Sequence, residues 1–194
     1  MFELVYKLFK RISSILYCIR YKNCFSFLGK DVRIYSPLKI QGNKSIVIGN
    51  KTRLSEGIWL ASIPLESSSA SLVIGDNVLI GHHNHIYCTS SIIIENDVLI
   101  ADKVYISDNS HSFEDVNIPI WRQQIKQLRG VVIGEGSWIG ENVCIIGASV
   151  GKHCVIGANS VVTKDIPDYS VAVGTPARVI KSYDFTISKW VKTI

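Results

Sequence analysis

An aliphatic residue that recurs every six positions constrains this chain more than any other feature of its sequence. In the stretch 74–79, the aliphatic Ile74 is followed by Gly75 and Asp76, and small or acidic residues often follow it in other repeats too. A period of six fits neither the 3.6-residue turn of an α-helix nor the two-residue alternation of a hairpin. It predicts a solenoid of short parallel strands whose aliphatic side chains stack inside. The repeat passes through Ile34, Ile40, Ile46, Ile74, Ile80, Ile86, Ile94, Ile100, Ile106, Ile133, Ile139, Ile145, Val150, Ile156 and Val162.

The six-residue phase also separates the solenoid from its main alternative, an antiparallel β-sandwich with regularly spaced strands. A sandwich has no need to keep one phase over so many repeats, so the solenoid is the preferred prediction. The largest break in the phase runs from Asn109 to Arg129 and contains Phe113, Pro119 and Trp121. A loop of about 20 residues inside a compact domain is usually functional.

The later repeats resemble the hexapeptide-repeat acyltransferases. The most specific stretches are 138–143 and 156–167, and 173–180 is similar to the family's exit from its last coil. The resemblance covers about residues 30–182 and implies a mainly β fold, a left-handed parallel β-helix with three hexapeptides per coil. Within the family, the sequence is most similar to maltose and galactoside acetyltransferases and to bacterial O-antigen and capsule sugar O-acetyltransferases.

The positive charge of the chain is confined to its beginning. The net charge is +5, from 21 basic and 16 acidic residues, and residues 1–30 alone contribute +5. The rest is neutral overall, which does not favour nucleic-acid binding. We therefore divide the chain into a basic helical segment at 1–29, the β-helix at 30–182 with its inserted loop 109–129, and a C-terminal tail at 183–194.

Composition indicates a folded cytoplasmic protein. Hydrophobic residues make up 47% and charged residues 19%, which is atypical of a disordered chain. The five cysteines show no CxxC pair or regular spacing, so no disulfide framework is expected. Near the N-terminus, the longest apolar run is 15–19. It is shorter than the roughly 20 residues that span a bilayer, and shorter than the apolar stretch of a signal peptide.

The first 22 residues have the periodicity of an amphipathic helix. Two interpretations stay open for this basic helix. It lies on an anionic membrane surface as a peripheral contact, or it docks its apolar stripe on the body or on a neighbouring subunit. The stripe consists of Phe2, Val5, Phe9, Ile12, Leu16 and Ile19.

His111 is the candidate catalytic residue. It follows Asp108-Asn109-Ser110 at the start of the long loop, and the resemblance implies a catalytic histidine in a motif of this kind. Acetyl transfer from a thioester to a hydroxyl requires a base, and an imidazole with a reference pKa of about 6.5 can accept that proton. The alternative is a surface histidine in a mobile loop.

Candidate acceptor-binding residues lie near two of the repeats. By resemblance, Asn84 and His85 occupy a sugar-binding position, and Trp121 of the inserted loop joins them. Asp108 either orients His111 or a sugar hydroxyl or acts as a plain turn carboxylate. His82, His83 and His85 are too close in sequence to favour a metal site, because neighbours in a strand point to opposite faces.

The resemblance places coenzyme A along a groove between adjacent subunits, over the C-terminal coils. Small residues there would let the pantetheine arm approach the backbone, and cations would meet its phosphates. The alternative is that the aromatic and the cations only cover or solvate the end of the solenoid. The matching positions are Trp138, Gly140, Ala158, Thr163, Lys164, Arg178 and Lys181.

The sequence therefore predicts an acetyl-CoA-dependent O-acetyltransferase acting on a sugar hydroxyl, in a bacterial surface polysaccharide pathway. His111 would be the general base, without a metal or a covalent acyl-enzyme, in a homotrimer whose sites lie between subunits. The acceptor would be a small or lipid-linked sugar. The alternatives are transfer to an amino sugar and, in a different class, a noncatalytic β-helix that binds or scaffolds.

Overall fold

Each repeat supplies one side of a three-sided coil, and successive coils stack into a parallel β-helix. The structure, a computed structural model, describes residues 2–65 and 69–193, without the side chains of Phe2 and Lys7. Strands form because the aliphatic residue of a repeat points inward while its neighbours point outward. The six-residue phase thus becomes a three-sided prism with a continuous interior.

Within the described residues, the chain forms one α-helix, three short 3₁₀-helices and twenty-two strands. The helices are α1 (Phe2–Tyr21) and the 3₁₀ turns Lys22–Cys24, Asn43–Ser45 and Ile120–Arg122. The strands are β1 (Phe27–Leu28), β2 (Arg33–Ile34), β3 (Lys39–Gln41), β4 (Ile46–Ile48), β5 (Arg53–Leu54), β6 (Trp59–Ser62), β7 (Ser71–Ile74), β8 (Leu79–Ile80), β9 (His85–Cys88), β10 (Ser91–Ile94), β11 (Leu99–Ile100), β12 (Tyr105–Ser107), β13 (Asn109–His111), β14 (Ile125–Gln127), β15 (Val131–Ile133), β16 (Trp138–Ile139), β17 (Cys144–Ile146), β18 (Val155–Ile156), β19 (Val161–Val162), β20 (Ser170–Gly174), β21 (Ala177–Asp184) and β22 (Lys189–Lys192).

The strands form three main sheets, one for each side of the prism. The first sheet has the order β1-β4-β7-β10-β15, the second β2-β5-β8-β11-β16-β18-β20-β21-β22, and the third β3-β6-β9-β12-β17-β19. Two corners matter for the site. Corner 2–3, between the second and third sheets, comprises 55–58, 81–84, 101–104, 140–143 and 157–160. Corner 3–1, between the third and first sheets, comprises 89–90, 108–130, 147–149 and 163–165.

The interior is a set of aliphatic ladders that run along the solenoid axis. In the second sheet each inward residue pairs with its counterpart in the next coil, and each member of the ladder is at most 1% exposed. Full burial of an Ile or Leu side chain stabilises a fold by about 1.5–3 kcal/mol. The ladder therefore holds the corners in register. Its members are Ile34, Leu54, Ile80, Ile100, Ile139, Ile156 and Ala172.

Helix α1 covers the open edge of the first coil with the side that carries Ser14, Tyr17 and Cys18. The Ile34 N–H donates to the Ser14 hydroxyl oxygen at 2.9 Å, and the Cys18 thiol donates to the Val32 carbonyl at 3.6 Å. Lys10 forms an ion pair with Glu56. Docking of the apolar stripe on this chain's own body is therefore wrong. Among the described apolar side chains, those facing outward form what we call the outer stripe: Leu4, Val5, Leu8, Phe9, Ile12, Ile15, Leu16 and Ile19.

The opposite end of the solenoid is closed by strands. β20 pairs with β21 antiparallel, and β21 pairs with β22 in the same way. The boundary predicted at residue 182 falls inside β21, and the sheet continues to Lys192. Over residues 2–65 and 69–193, no helix has both the length and the hydropathy needed to cross a bilayer.

Candidate functional site

A buried carboxylate organises corner 3–1. Asp108 directly follows β12 and is fully buried. Its oxygens accept hydrogen bonds from the backbone N–H groups of Thr89, Ser90 and Ser91 at 2.7, 2.7 and 2.9 Å. The Thr89 hydroxyl also donates to it at 2.9 Å. Of the two roles predicted for Asp108, the structure favours the turn carboxylate, since its bonds among the described residues do not include His111.

His111 lies three residues further on, in a hairpin that stands out from this corner. β13 and β14 pair antiparallel, with His111 opposite Ile125. The Gln127 side-chain amide fixes the hairpin to the corner by donating to the Asp108 carbonyl at 2.8 Å. The imidazole itself is exposed, and we find no hydrogen bond to it from any residue the structure describes. Both ring nitrogens are therefore open to a ligand.

The inserted loop above the hairpin has internal structure. The Lys126 ammonium donates to Glu114 at 2.6 Å, and this bond, with the Phe113 N–H, lowers the Glu114 pKa to about 2. The Gln123 amide donates to two loop carbonyls at 2.8 Å each. Trp121 is 73% exposed, so the predicted acceptor-binding residue lies on the outer surface of the loop.

Asn84 is not on the surface. It is 1% exposed, and its side-chain oxygen accepts the Val104 N–H at 2.8 Å. Its amide nitrogen donates to the Ala101 carbonyl at 2.9 Å. Both functions of the amide are thus used to join successive coils at corner 2–3, and Asn84 does not present its amide to an acceptor in this structure.

His85 lies on the outer face of the third sheet, within an aromatic ladder. Its ring stacks on Trp59 with centroids 4.0 Å apart and lies 5.2 Å from Tyr105. Burial lowers the pKa of His85, and its Nε2 atom is buried without a partner among the described atoms. His85 is therefore half-buried and belongs to a different surface from His111.

The other two histidines of the cluster point elsewhere. His82 Nδ1 lies 3.2 Å from an Asp102 oxygen, and the His83 ring packs against Gly57 in the preceding coil. No group of three or more His, Cys, Asp or Glu side chains in the described part of the chain is arranged to hold a metal ion.

The structure brings together five of the seven positions predicted to hold coenzyme A. Trp138 and Lys181 lie in one ladder of the second sheet, separated by Val155 and Val171. Gly140 lies so close to Ala158 that a Cβ atom there would be 2.7 Å from the Ala158 nitrogen, so only glycine fits. Arg178 pairs with Val173 in the hairpin beside these corner residues.

Thr163 and Lys164 lie apart from that group, across the third sheet at corner 3–1. The Arg129 guanidinium at the end of the inserted loop donates to Asp165 at 2.7 Å and joins the loop to this segment. The Ser149 N–H and then Arg129 lower the Asp165 pKa. In one chain, therefore, His111 shares its corner with Thr163 and Lys164 and not with Trp138.

The cysteine nearest to the carboxylate turn is not a nucleophile at neutral pH. Cys88 is fully buried, and burial followed by the nearby Asp108 charge raises its thiol pKa to about 11. A thiolate, not a thiol, is the reactive form.

Sequence reasoning missed the residues that hold the site together. Thr89, Ser90 and Ser91 bind Asp108, and Gln127 ties the hairpin to it. One signal was available, because Ile86 and Ile94 are eight residues apart instead of six and mark an enlarged turn. The partner of that turn lies 17 to 19 residues further along the chain, and no local spacing identifies it.

Hexapeptide coils that stack into a three-sided prism define the class of hexapeptide-repeat β-helices. The family model described as the hexapeptide repeat of succinyl-transferase matches residues 130–164. The Escherichia coli K12 protein WbbJ is named as an O-acetyltransferase of lipopolysaccharide biosynthesis. It is 34% identical over 180 residues, which cover 89% of this chain and 86% of WbbJ.

This chain belongs to the hexapeptide-repeat acyltransferase family, and the left-handed parallel β-helix implied by the resemblance is confirmed. A Mycobacterium tuberculosis protein named as an acetyltransferase is 36% identical over 160 residues. Those residues are 80% of this chain and 49% of the relative, so the chain spans about half of its length.

A solved structure supports the same fold. AntD from Bacillus cereus is an N-acyltransferase, and a single-residue mutant of it was crystallised with dTDP-4-amino-4,6-dideoxyglucose and coenzyme A. It superposes with a TM-score of 0.72 over 86% of this chain and 88% of AntD, at 24% identity. At this identity the likeness establishes the fold, and the ligands are those of AntD.

Proposed function

We propose that this protein is an acetyl-CoA-dependent O-acetyltransferase that modifies a sugar hydroxyl in bacterial surface polysaccharide synthesis. The observation that carries the proposal is His111. Its imidazole is exposed and unbonded among the described residues, on a hairpin that Gln127 fixes to the fully buried Asp108. Family membership supplies the reaction class, and the name of WbbJ, an O-acetyltransferase of lipopolysaccharide biosynthesis, supports the choice of acceptor.

In the proposed reaction His111 is the general base. The acceptor oxygen attacks the thioester carbonyl carbon while the imidazole takes the hydroxyl proton. The tetrahedral oxyanion then collapses, the carbon–sulfur bond breaks, and the leaving sulfur receives the proton from the imidazolium. The products are the acetyl ester and free coenzyme A, so no metal or covalent enzyme intermediate is required.

The donor would lie along corner 2–3 of the last coils. Ala158 is exposed and carries only a methyl group, so the pantetheine arm would approach the backbone there, with the buried Gly140 next to it and the exposed Trp138 ring on the adjoining sheet face. Arg178 and Lys181 supply cations for the phosphates. Both are exposed and without a carboxylate partner among the described residues, so their charge is available.

A homotrimer with shared sites is part of the proposal. His111 and the donor positions lie on different corners of one chain, so an adjacent chain would bring the two corners together. The inserted loop carries exposed apolar residues that a neighbour would cover, among them Phe113, Val116 and Trp121. Light scattering should then give about three times 21.6 kDa, and a fully active monomer would contradict the shared site.

Transfer to an amino sugar is the second candidate, and the likeness to AntD favours it. A sugar amine would need the same base and the same donor, so geometry at His111 does not separate the two reactions. The product separates the two reactions, because mild alkali removes an acetyl group held as an ester and does not remove one held as an amide.

The test is a panel of acceptors with and without amino groups, assayed with acetyl-CoA for thiol release and for acetylated product by mass spectrometry. We expect thiol release that depends on a sugar lacking an amino group and gives an alkali-labile product. Transfer to amino sugars alone would establish the alternative. Coenzyme A binding without transfer to any acceptor would point to the noncatalytic interpretation.

We place the protein in the cytoplasm, with residues 1–22 in peripheral contact with the inner face of the cytoplasmic membrane.

A further inference from the structure

The outer stripe of α1 is a continuous apolar surface that faces away from the solenoid. Its members project from roughly half of the helix circumference, and Leu4, Phe9 and Ile19 are 76%, 70% and 69% exposed. The opposite half of the helix holds Ser14 and Cys18, which bind the first coil. The docked side therefore combines the hydrogen bonds of Ser14 and Cys18 with the packing of Tyr17 and Tyr21, while the aliphatic stripe faces away.

The docking bonds determine where this stripe points. In β2, the Arg33 and Tyr35 N–H groups donate to the second coil, whereas the Ile34 N–H points the other way and donates to Ser14. The helix thus covers the edge strand at the start of the solenoid, and the stripe faces out along the solenoid axis. Side-by-side packing of chains at corners 2–3 and 3–1 would leave it uncovered.

This end of the molecule is also strongly basic. Residues 1–50, which include α1, the first coil and the first strand of the second coil, hold nine Lys and Arg against two Asp and Glu, a net charge of +7. Residues 51–194 hold twelve against fourteen, a net charge of −2. An anionic surface complements such an end, and a second copy of the same end repels it.

A groove beside the helix combines both kinds of side chain. It has a volume of about 340 Å³ between α1 and the first coil, next to the outer stripe. A lipid headgroup presents the matching pair of an anionic phosphate above apolar chains. The groove is lined by the apolar Ile15 and Ile19, the basic Lys22, Lys30 and Arg33, and Asp31, among others.

We propose that the protein binds an anionic bilayer through the outer stripe, with the solenoid standing end-on to the membrane. The stripe enters the boundary between headgroups and acyl chains, and the basic residues of the first coil contact the phosphates. Coils are spaced by about 4.8 Å, so His111, after the fourth coil, stands about 14 Å above the first. The candidate site therefore stays clear of the lipid, and the binding itself needs no substrate.

The experiment is co-sedimentation of the full chain with vesicles of phosphatidylcholine containing phosphatidylglycerol, and with phosphatidylcholine alone. Ile12→Glu places a charge in the stripe, and Ile187→Glu is its matched control. The two residues are 48% and 54% exposed and lie at opposite ends of the solenoid. We expect salt-sensitive binding to the anionic vesicles that falls about tenfold in Ile12→Glu and is unchanged in Ile187→Glu.

Equal binding of the two variants, or no binding of the unaltered chain to anionic vesicles at low salt, would overturn the proposal. Circular dichroism and thermal unfolding of both variants confirm that each is folded. If the stripe instead joins two copies, light scattering without vesicles would show a doubled particle that Ile12→Glu divides, and that result also excludes the bilayer. Each measurement is made without acetyl-CoA or acceptor, so a failure here leaves the proposed reaction untouched.

Discussion

Asp108 and His111 are three residues apart at one corner, yet their environments are opposite. The Asp108 side chain is fully buried and accepts bonds from three backbone N–H groups and a hydroxyl. The His111 side chain is exposed, and none of the described residues bonds to it. One ionisable group is committed to structure, and the other is free for a ligand.

This difference between Asp108 and His111 shows how a regular solenoid can carry a reactive group. Outward side chains of successive coils pack on one another, as His85 does on Trp59, so a side chain that is to stay free of such packing must lie where the chain leaves the coil. The hydrogen-bonded carboxylate of Asp108 fixes the position where the chain leaves the coil. The hairpin β13–β14 then places the His111 imidazole outside the coil. A loop positioned by a rigid scaffold is the usual place for binding and catalysis.

The largest effect expected from this comparison is on activity. His111→Ala removes the proposed base, so acetyl transfer should fall by about 10² to 10⁴, the range for a lost general base. Because the imidazole has no bonding partner among the described residues, the free energy of unfolding should stay within about 0.5 kcal/mol of the unaltered protein. Steady-state kinetics and urea denaturation measure the two quantities.

A histidine at another corner provides the control. His153 stacks on Tyr169 with centroids 5.5 Å apart, far along the chain from the inserted loop. His153→Ala should keep most of the transfer rate. Full activity in His111→Ala, or equal losses in both variants, would remove His111 from the mechanism.

The second effect concerns Asp108, whose substitution should lower the stability of the fold, in contrast to His111→Ala, which should lower activity alone. Asp108→Asn keeps the shape but turns an NH₂ group toward backbone donors, leaving buried N–H groups without an acceptor. Each such group costs about 1–3 kcal/mol, so the free energy of unfolding should fall by about 3 kcal/mol. Denaturant unfolding of the purified variant gives this value.

An exposed aspartate of the loop is the matched control for that change. Asp115 accepts the Asn117 N–H at 2.9 Å on the exposed loop, so Asp115→Asn should alter the free energy of unfolding by less than about 0.5 kcal/mol. If Asp108→Asn were as mild as this, the carboxylate turn would not be what fixes the corner.

The sequence predicts the fold well because the repeat acts at every coil. Ile74 to Ile80 and Ile100 to Ile106 are six residues apart, and each lands inside the prism. Helix α1 was predicted equally well, but the side of it that packs on the first coil was not. Its periodicity identifies an apolar stripe without showing which side docks, and Ser14 and Cys18 decide that through the backbone groups of Ile34 and Val32.

The site is less predictable because position along the chain does not reveal where a side chain points. Asn84 and His85 are neighbours in sequence, yet Asn84 is buried in a corner while His85 lies on an outer sheet face. Asp108 was a candidate for two roles, and only its buried bonds favour one. The position of His111 came from a motif, and its catalytic role stays a prediction.

The smallest effect concerns His85, whose half-buried ring tests whether burial makes the free energy of unfolding depend on pH. Its ring is packed between Trp59 and Tyr105, and burial lowers its pKa below the ordinary value of 6.5. The unfolded chain therefore binds this proton more readily than the folded one. The stabilising contribution is fully present above about pH 6.5 and is lost as the pH falls from there through the folded-state pKa, at no more than about 1.4 kcal/mol per pH unit.

His85→Phe keeps the packing and removes the titration, so between about pH 7.5 and pH 5 the unaltered protein should lose more free energy of unfolding than the variant. Denaturant unfolding at the two pH values compares them. Equal losses would mean that the His85 ring is hydrated enough to take up its proton in the folded protein.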